Sequence, residues 1–356
     1  MKVGILTYHR AISYGATLQA IATRCFFNSL GDDVYFVDYF PEYHKEKYKL
    51  INEKSLKRIN VLKSLLYLYD ALAGYSVRKQ RLRVFSPFIN EYIEPFCKTY
   101  EEFGDFDLIV YGSDQIWRKQ PGLGMKFNPV YFGEGICPNV KKISFAASMG
   151  IISLNTEDKL FLKNTLLNFN KIGVREASLV KILEGIGISA THNIDPTFLL
   201  DRSQWDVILK TKRVVEGDYV LYYKVAHGFD EKKLESFCKK NNLKLIKVYS
   251  YEYKNKSDYN PDPSDFVSLI KYASFVFTTS FHGLAFSLIY RKQFLVSCKA
   301  NSERLTSLLN SISLNSRFVN RDDDLESAYK QQIDYNIVGP CLDVLIEQSK
   351  RFLLDN

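Results

Sequence analysis

The strongest constraint on the fold is an alternation of short apolar runs with helix-period segments that occurs twice along the chain. Residues 3–7 read as a strand, 15–30 as a helix with Leu18, Ile21, Ala22 and Cys25 on one face, and 34–39 as the next strand. That is a βαβ opening. Runs at 108–111, 142–147 and 172–174 add strands, with a helix over 157–168. After Asp195-Pro196-Thr197 the alternation restarts, with strands over 219–225, 243–249, 274–278 and 294–297 and helices over 230–241, 264–272 and 283–291. Strands that alternate with helices form parallel sheets covered on both faces. The chain of 356 residues is therefore predicted to be α/β, with two Rossmann-like domains facing a central cleft. Residues 1–197 form the first domain and 198–356 the second, with the boundary between Asp195 and Ser203. A last helix over 340–354 is expected to cross back to the first domain.

In an open α/β sheet, ligands gather outside the carboxyl ends of the strands. One such end carries Thr279-Ser280-Phe281-His282-Gly283, followed by Leu284, Ala285, Leu288 and Ile289 at helical spacing. His282 thus sits where a strand gives way to a helix, whose first N–H groups suit phosphate or carboxylate. Gly283 removes a side chain that would block close approach. The same placement also fits a histidine that only caps the helix or satisfies a core hydrogen bond. Arg175, in Gly173-Val174-Arg175-Glu176, follows another apolar strand. Its fork can hold a carboxylate or phosphate by two parallel bonds, or pair with Glu176 or Asp195.

Asp114, in Gly112-Ser113-Asp114-Gln115-Ile116-Trp117, is a candidate acceptor ligand or general base, with Trp117 stacking on a sugar ring. The competing reading is a helix cap at Ser113 or Asp114 and a Trp117 in the core. The first turn, residues 8–15, holds His9, Arg10, Ser13 and Tyr14, which suit a sugar or phosphate or a plain surface turn capped by Ser13. Gly15 would let helix and cleft approach closely. The turn lacks Gly-x-Gly-x-x-Gly, which argues against a dinucleotide cofactor. Arg304 heads a helical pattern with Leu305, Leu308 and Leu309, as a further cation or a surface residue. Asp195, before Pro196, reads as a structural residue of the interdomain linker, with a place in the cleft left open.

Composition narrows the class. The net charge of +8 concentrates in residues 45–83, where Lys54, Lys57, Arg58 and others flank Leu56, Ile59, Leu62, Leu65 and Leu66. A basic amphipathic helix can lie on an anionic membrane, or pack its apolar face on its own domain. No nucleic-acid module accompanies the charge, so nucleic acid is not an expected partner. No signal peptide or bilayer-length apolar stretch is present, and six scattered cysteines without a Cys-x-x-Cys pair point to a reducing cytoplasm. No His/Asp/Glu spacing of metal-site type occurs, so no metal is expected.

Taken in order, Ser13-Tyr14-Gly15-Ala16-Thr17-Leu18-Gln19-Ala20, the Tyr111–Trp117 run, Gly-Val-Arg-Glu, Asn193-Ile194-Asp195-Pro196-Thr197 and Ser-Phe-His-Gly resemble the polysaccharide pyruvyl transferase family. The resemblance runs from about Val3 to Arg317. It implies a glycosyltransferase-B-like arrangement and transfer of a pyruvate ketal from phosphoenolpyruvate to a sugar of a lipid-linked bacterial cell-surface glycan precursor, without a cofactor. It implies a phosphoenolpyruvate-binding role for Arg175 and a domain-interface role for the Tyr14-Gly15 segment. His282 is the expected proton donor or phosphate ligand. Some relatives carry arginine two residues before this histidine; here Ser280 stands there and Phe281 replaces a leucine, so Arg304 is the candidate second cation. Glycosyl transfer from a nucleotide sugar, or a catalytically silent scaffold of glycan assembly, are the alternatives on such a fold.

Overall fold

Both alternations fold into parallel sheets in the computed structural model, which describes residues 1–50, 61–99, 106–150, 152–251, 253, 255–298, 303–320 and 325–355. The first sheet comprises β1 (Lys2–Leu6), β2 (Asp33–Asp38), β3 (Cys97–Thr99), β4 (Leu108–Tyr111), β5 (Lys141–Ala147), β6 (Lys171–Val174) and β7 (Thr191–His192). Its order is β3-β2-β1-β4-β5-β6-β7, with every pair parallel. The second comprises β8 (Val220–Lys224), β9 (Leu245–Tyr249), β10 (Phe275–Thr278) and β11 (Phe294–Val296), in the order β11-β10-β8-β9, again parallel throughout. Each order reverses direction once, between β1 and β4 and between β8 and β10. Such switch points are where a doubly wound sheet opens a crevice. β4 and β10 are buried along their whole length, as continuous apolar strands covered on both faces must be.

The helices are α1 (Tyr14–Ser29), α2 (Glu42–Tyr48), α3 (Val61–Tyr92), α4 (Thr156–Leu166), α5 (Ala177–Glu184) and α6 (Arg202–Leu209) in the first part of the chain. They continue with α7 (Glu231–Lys240), α8 (Pro263–Tyr272), α9 (Phe281–Ile289), α10 (Glu303–Ser311), α11 (Leu325–Lys330) and α12 (Tyr335–Leu354). Edge strands β3 and β7 are too short to leave a period in the sequence. α12 starts five residues ahead of its predicted start at 340, because the Asp334 side chain accepts the Asn336 N–H at 2.9 Å and caps the helix there. Pro340 therefore lies inside the helix, where it lacks the N–H for one ladder bond. The end of α12 meets the first sheet: Lys171 Nζ donates to the carbonyls of Phe352 (3.3 Å) and Asp355 (2.7 Å), and the Ile194 N–H donates to Ser349 Oγ (2.9 Å).

The two halves are also joined through α1 and α3. The Tyr14 ring stacks on Phe266 at 4.3 Å, and its hydroxyl donates to the Pro261 carbonyl at 3.0 Å. Arg81, in the basic stretch read as a membrane-facing or solvated helix face, is buried instead. Its guanidinium donates to the carbonyls of Ser250 (2.6 Å) and Asn255 (2.8 Å). Five N–H donors in a rigid fork suit the capture of several carbonyls, which is why an arginine serves here. Lys54, Lys57 and Arg58 lie outside the described residues. No described helix is long and apolar enough to cross a membrane.

Candidate functional site

Segments that follow β1, β4, β8, β9, β10 and β11 converge on one cavity of about 720 Å³ between the halves. His282, Ser280, Phe281, Asp114, Tyr14, Gly15 and Arg304 all line it. β10 ends at Thr278 and α9 begins at Phe281, so the turn between them fixes the histidine. Ser280 is the N-cap of α9: its Oγ accepts the Gly283 N–H at 3.3 Å. A Cβ at Gly283 would lie 2.2 Å from Thr278 Oγ1, so this glycine lets the helix sit down on its own strand rather than clearing space for a ligand. The close approach occurs at Gly15 instead. A Cβ there would lie 1.9 Å from His282 Nδ1, so only glycine lets α1 of the first half pack against this imidazole.

Behind His282 stands a buried ionic cluster. The Asp195 carboxylate lies 3.6 Å from His282 Nε2 and 2.5 Å from Arg175 Nη1. It also accepts Ser113 Oγ (3.2 Å), the Thr197 N–H (3.0 Å) and the Thr197 hydroxyl (2.8 Å). Burial alone would raise its pKa, but His282, Arg175 and the Thr197 N–H together hold it well below the usual carboxylate range. Sequence reasoning read Asp195 chiefly as a linker residue, left a place in the cleft open, and offered it as a partner of Arg175; the structure makes that ion pair. The partners of Asp195 come from distant points of the chain.

Arg175 is buried and stands one layer back. With Asp195, Phe281 and Arg304 it borders a void of only about 20 Å³, separate from the main cavity. Its Nη2 has no hydrogen-bond partner among the described residues and lies 3.9 Å from Asp114 Oδ1. Arg304 borders both spaces, and its guanidinium lies 6.0 Å from the centre of the Phe281 ring, against 4.9 Å for Arg175. Burial, then the charge of Arg175, lowers the Arg304 pKa to about 10. The cation at the cavity wall is thus Arg304, while Arg175 sets the charges behind it. Glu176 is buried next to this cluster, accepting from the Ser148 hydroxyl, and burial raises its pKa.

Two sequence candidates lie elsewhere. Trp117 is fully buried, its indole N–H donates to the Tyr131 carbonyl at 2.9 Å, and its ring stacks on Phe132. It is a core residue and meets no sugar. His9 is buried against Phe36, away from the cavity, with Nδ1 donating to the Thr7 carbonyl at 3.0 Å. His9, Asp38 and Cys97 form a group of metal-ligand type that the sequence spacing did not reveal. Arg10 closes it by engaging both Asp38 oxygens, at 2.5 and 2.7 Å, and burial pushes the Cys97 thiol up to about 12. Sequence reasoning also missed one wall of the cavity, formed by Tyr8, Tyr43 and His44.

Asp114 has a positive φ of 65°, and its Oδ1 accepts the Gln115 N–H at 2.8 Å. The turn is held from α1: Gln19 Oε1 accepts the Ser113 N–H at 3.0 Å and Gln19 Nε2 donates to Thr7 Oγ1 at 2.9 Å. The site therefore combines an imidazole at a helix start, a buried carboxylate behind it, a cation at the wall and a second carboxylate across the cavity. Such a set can bind an anion and move protons.

Three solved structures are similar in fold. A UDP-GlcNAc 2-epimerase of Methanocaldococcus jannaschii has 10% identity and a TM-score of 0.47, covering 97% of this chain and 99% of that one. A glycosyltransferase of Streptomyces sp. SF2575 has 10% identity and a TM-score of 0.37, covering 99% and 96%. A glycosyltransferase of Rickettsia africae has 10% identity and a TM-score of 0.40, covering 100% and 94%. No curated protein matches the chain. The family model for polysaccharide pyruvyl transferase matches residues 14–297, a span that takes in Gly15, Asp114, Arg175, Asp195 and His282, and the chain belongs to that family.

Proposed function

We propose that the chain transfers a pyruvate ketal from phosphoenolpyruvate to two hydroxyls of a sugar in a glycan, at the His282 end of the cleft. The observation that carries this reading is His282 at the start of α9, packed on Gly15 and 3.6 Å from the Asp195 carboxylate, with Arg304 at the same cavity. The donor brings a phosphate and a carboxylate. A helix N-terminus and a guanidinium suit both.

The reaction needs an acid and a base. The acid protonates the methylene carbon, which leaves an oxocarbenium-like centre at C2. A sugar hydroxyl attacks that carbon and gives its proton to the base. Phosphate leaves with the electrons of the C2–O bond, and a second hydroxyl closes the ketal, its proton passing to the His282 imidazole that gave one up in the first step. His282 is the acid, held 3.6 Å from the Asp195 carboxylate, and Asp114 is the base. Arg175 anchors Asp195 and orients Asp114. No step of this scheme calls for a metal. The acceptor is proposed to be lipid-linked and met at the inner face of the membrane, where the exposed Lys45, Lys47 and Lys49 would face anionic lipid.

A ligand that binds only the folded state stabilises it, by about 2.7 kcal/mol at a hundredfold excess over Kd. Phosphoenolpyruvate should therefore raise Tm in a dose-dependent way. Stabilisation by nucleotide sugars, with none from phosphoenolpyruvate, would replace this reading with glycosyl transfer.

A further inference from the structure

The far wall of the cavity has a chemistry of its own. α2 supplies Tyr43, His44 and Tyr48, and Tyr8, Gln120 and Gly122 complete the wall. His44 is only 9% exposed, and its Nδ1 has no hydrogen-bond partner among the described residues. Its ring stands edge-on to Tyr8 at 4.2 Å and to Tyr43 at 4.8 Å. Gln120 Nε2 donates to the Tyr8 hydroxyl at 3.0 Å, and Asn128 Nδ2 to the Tyr43 hydroxyl at 3.1 Å.

Burial, then the charge of Lys47, holds the His44 pKa down at about 4, against an opposing pull from Asp114. The imidazole is therefore neutral at pH 7. A buried polar nitrogen left unmatched is costly, so it favours a ligand that can meet it. A neutral imidazole offers no charge to an anion. Lys47 is exposed, Glu46 and Arg118 are half-buried, and Arg118 is engaged with Gln115 Oε1 at 3.3 Å. Aromatic rings with a few uncharged hydrogen-bonding groups suit the apolar faces and hydroxyl edge of a pyranose. Asp114 links the two ends: its Oδ1 lies 3.9 Å from Arg175, and its charge is felt at both His44 and Tyr8.

We propose that this wall is the acceptor subsite, that it binds a neutral pyranose, and that His44 selects it through a hydroxyl. The proposal rests on the transferase reading of the cleft and assigns its second substrate to named residues. The test is saturation-transfer NMR with the methyl glycosides of glucose, galactose, mannose and N-acetylglucosamine, each added alone to the full chain without phosphoenolpyruvate. At least one should bind. His44→Phe keeps the packed ring and removes the nitrogens, so it should weaken that glycoside about tenfold while the phosphoenolpyruvate-induced rise in Tm persists. Tyr48→Ala, at a half-buried ring, should act in the same direction and serves if His44→Phe does not fold. Binding of none of the four, or unchanged binding in the variants that fold, would overturn the proposal. Glycoside binding without any response to phosphoenolpyruvate would count against the donor reading and support the subsite.

Discussion

At one end of the cleft, Arg175 and Asp195 are buried beside His282, with the half-buried Arg304 at the wall; at the other, Tyr8, Tyr43 and His44 meet through ring contacts and neutral hydrogen bonds. Burying charge is expensive unless each group meets a partner, and Asp195 does this for both Arg175 and His282. The first end is thus a unit centred on Asp195, whose loss would strand Arg175. The His44 end carries no such obligation. Its rings hold one another through edge contacts and neutral hydrogen bonds, and His44 Nδ1 meets no hydrogen-bond partner among the described residues. Substitutions should accordingly be catastrophic for chemistry at one end and graded at the other.

The largest expected effect tests whether the charged end does chemistry. His282→Ala should lower turnover by about two to four orders of magnitude at saturating donor, as loss of a general acid does. The fold should survive, because an alanine removes the ring that Gly15 accommodates and adds no clash. Near-normal turnover would reduce His282 to a helix residue and move the proton donor elsewhere, with Glu176, the buried acid of raised pKa, next in line.

Next comes the stability of the cluster. Asp195→Asn keeps the shape and removes the charge that pairs Arg175. Stranding a buried partner in this way costs about 3–5 kcal/mol, to be read from urea unfolding. A loss below about 1 kcal/mol, the value of an exposed pair, would show that the cluster is hydrated and that the contrast between the ends is smaller than drawn here.

This contrast also explains what the sequence disclosed. The Thr279–Gly283 run was legible because it joins two periods, a strand and a helix, at one histidine, and β4 matched its predicted bounds for the same reason. The fold class followed from those alternations. The reach of Arg175 was not legible, since a residue at the top of a strand can face the cavity or the layer behind it, and only packing against Phe281 decides. Trp117 and His9 looked functional by residue type, but the Trp117 N–H and His9 Nδ1 are bound within the core, and His9 Nε2 faces Asp38 at 3.5 Å instead of the cavity. Nothing in Glu42–Tyr48 alone marks a cavity wall; it becomes one because Tyr8 and Asn128 arrive from other segments to hold His44 and Tyr43.

The smallest expected effect separates the two ends by acid alone. The Asp195 carboxyl is depressed in the folded state, so its stabilising contribution is present above the ordinary aspartate range and is lost only as pH falls through the folded value. Between pH 7 and pH 5 it should contribute no slope. His44 behaves oppositely. Its folded pKa of about 4 lies below the ordinary 6.5, so in this window the unfolded chain takes up a proton that the folded one refuses. Stability should then fall with acidification, by about 2 kcal/mol between pH 7 and pH 5 from this group. His44→Gln removes the titration while leaving an uncharged polar side chain, so the difference in unfolding free energy between variant and parent should narrow by that amount over the same interval. A parallel pH dependence of the two proteins would mean that His44 is hydrated and protonates freely, and the wall would then be a cationic surface at pH 5 like the lysine-rich face beside it.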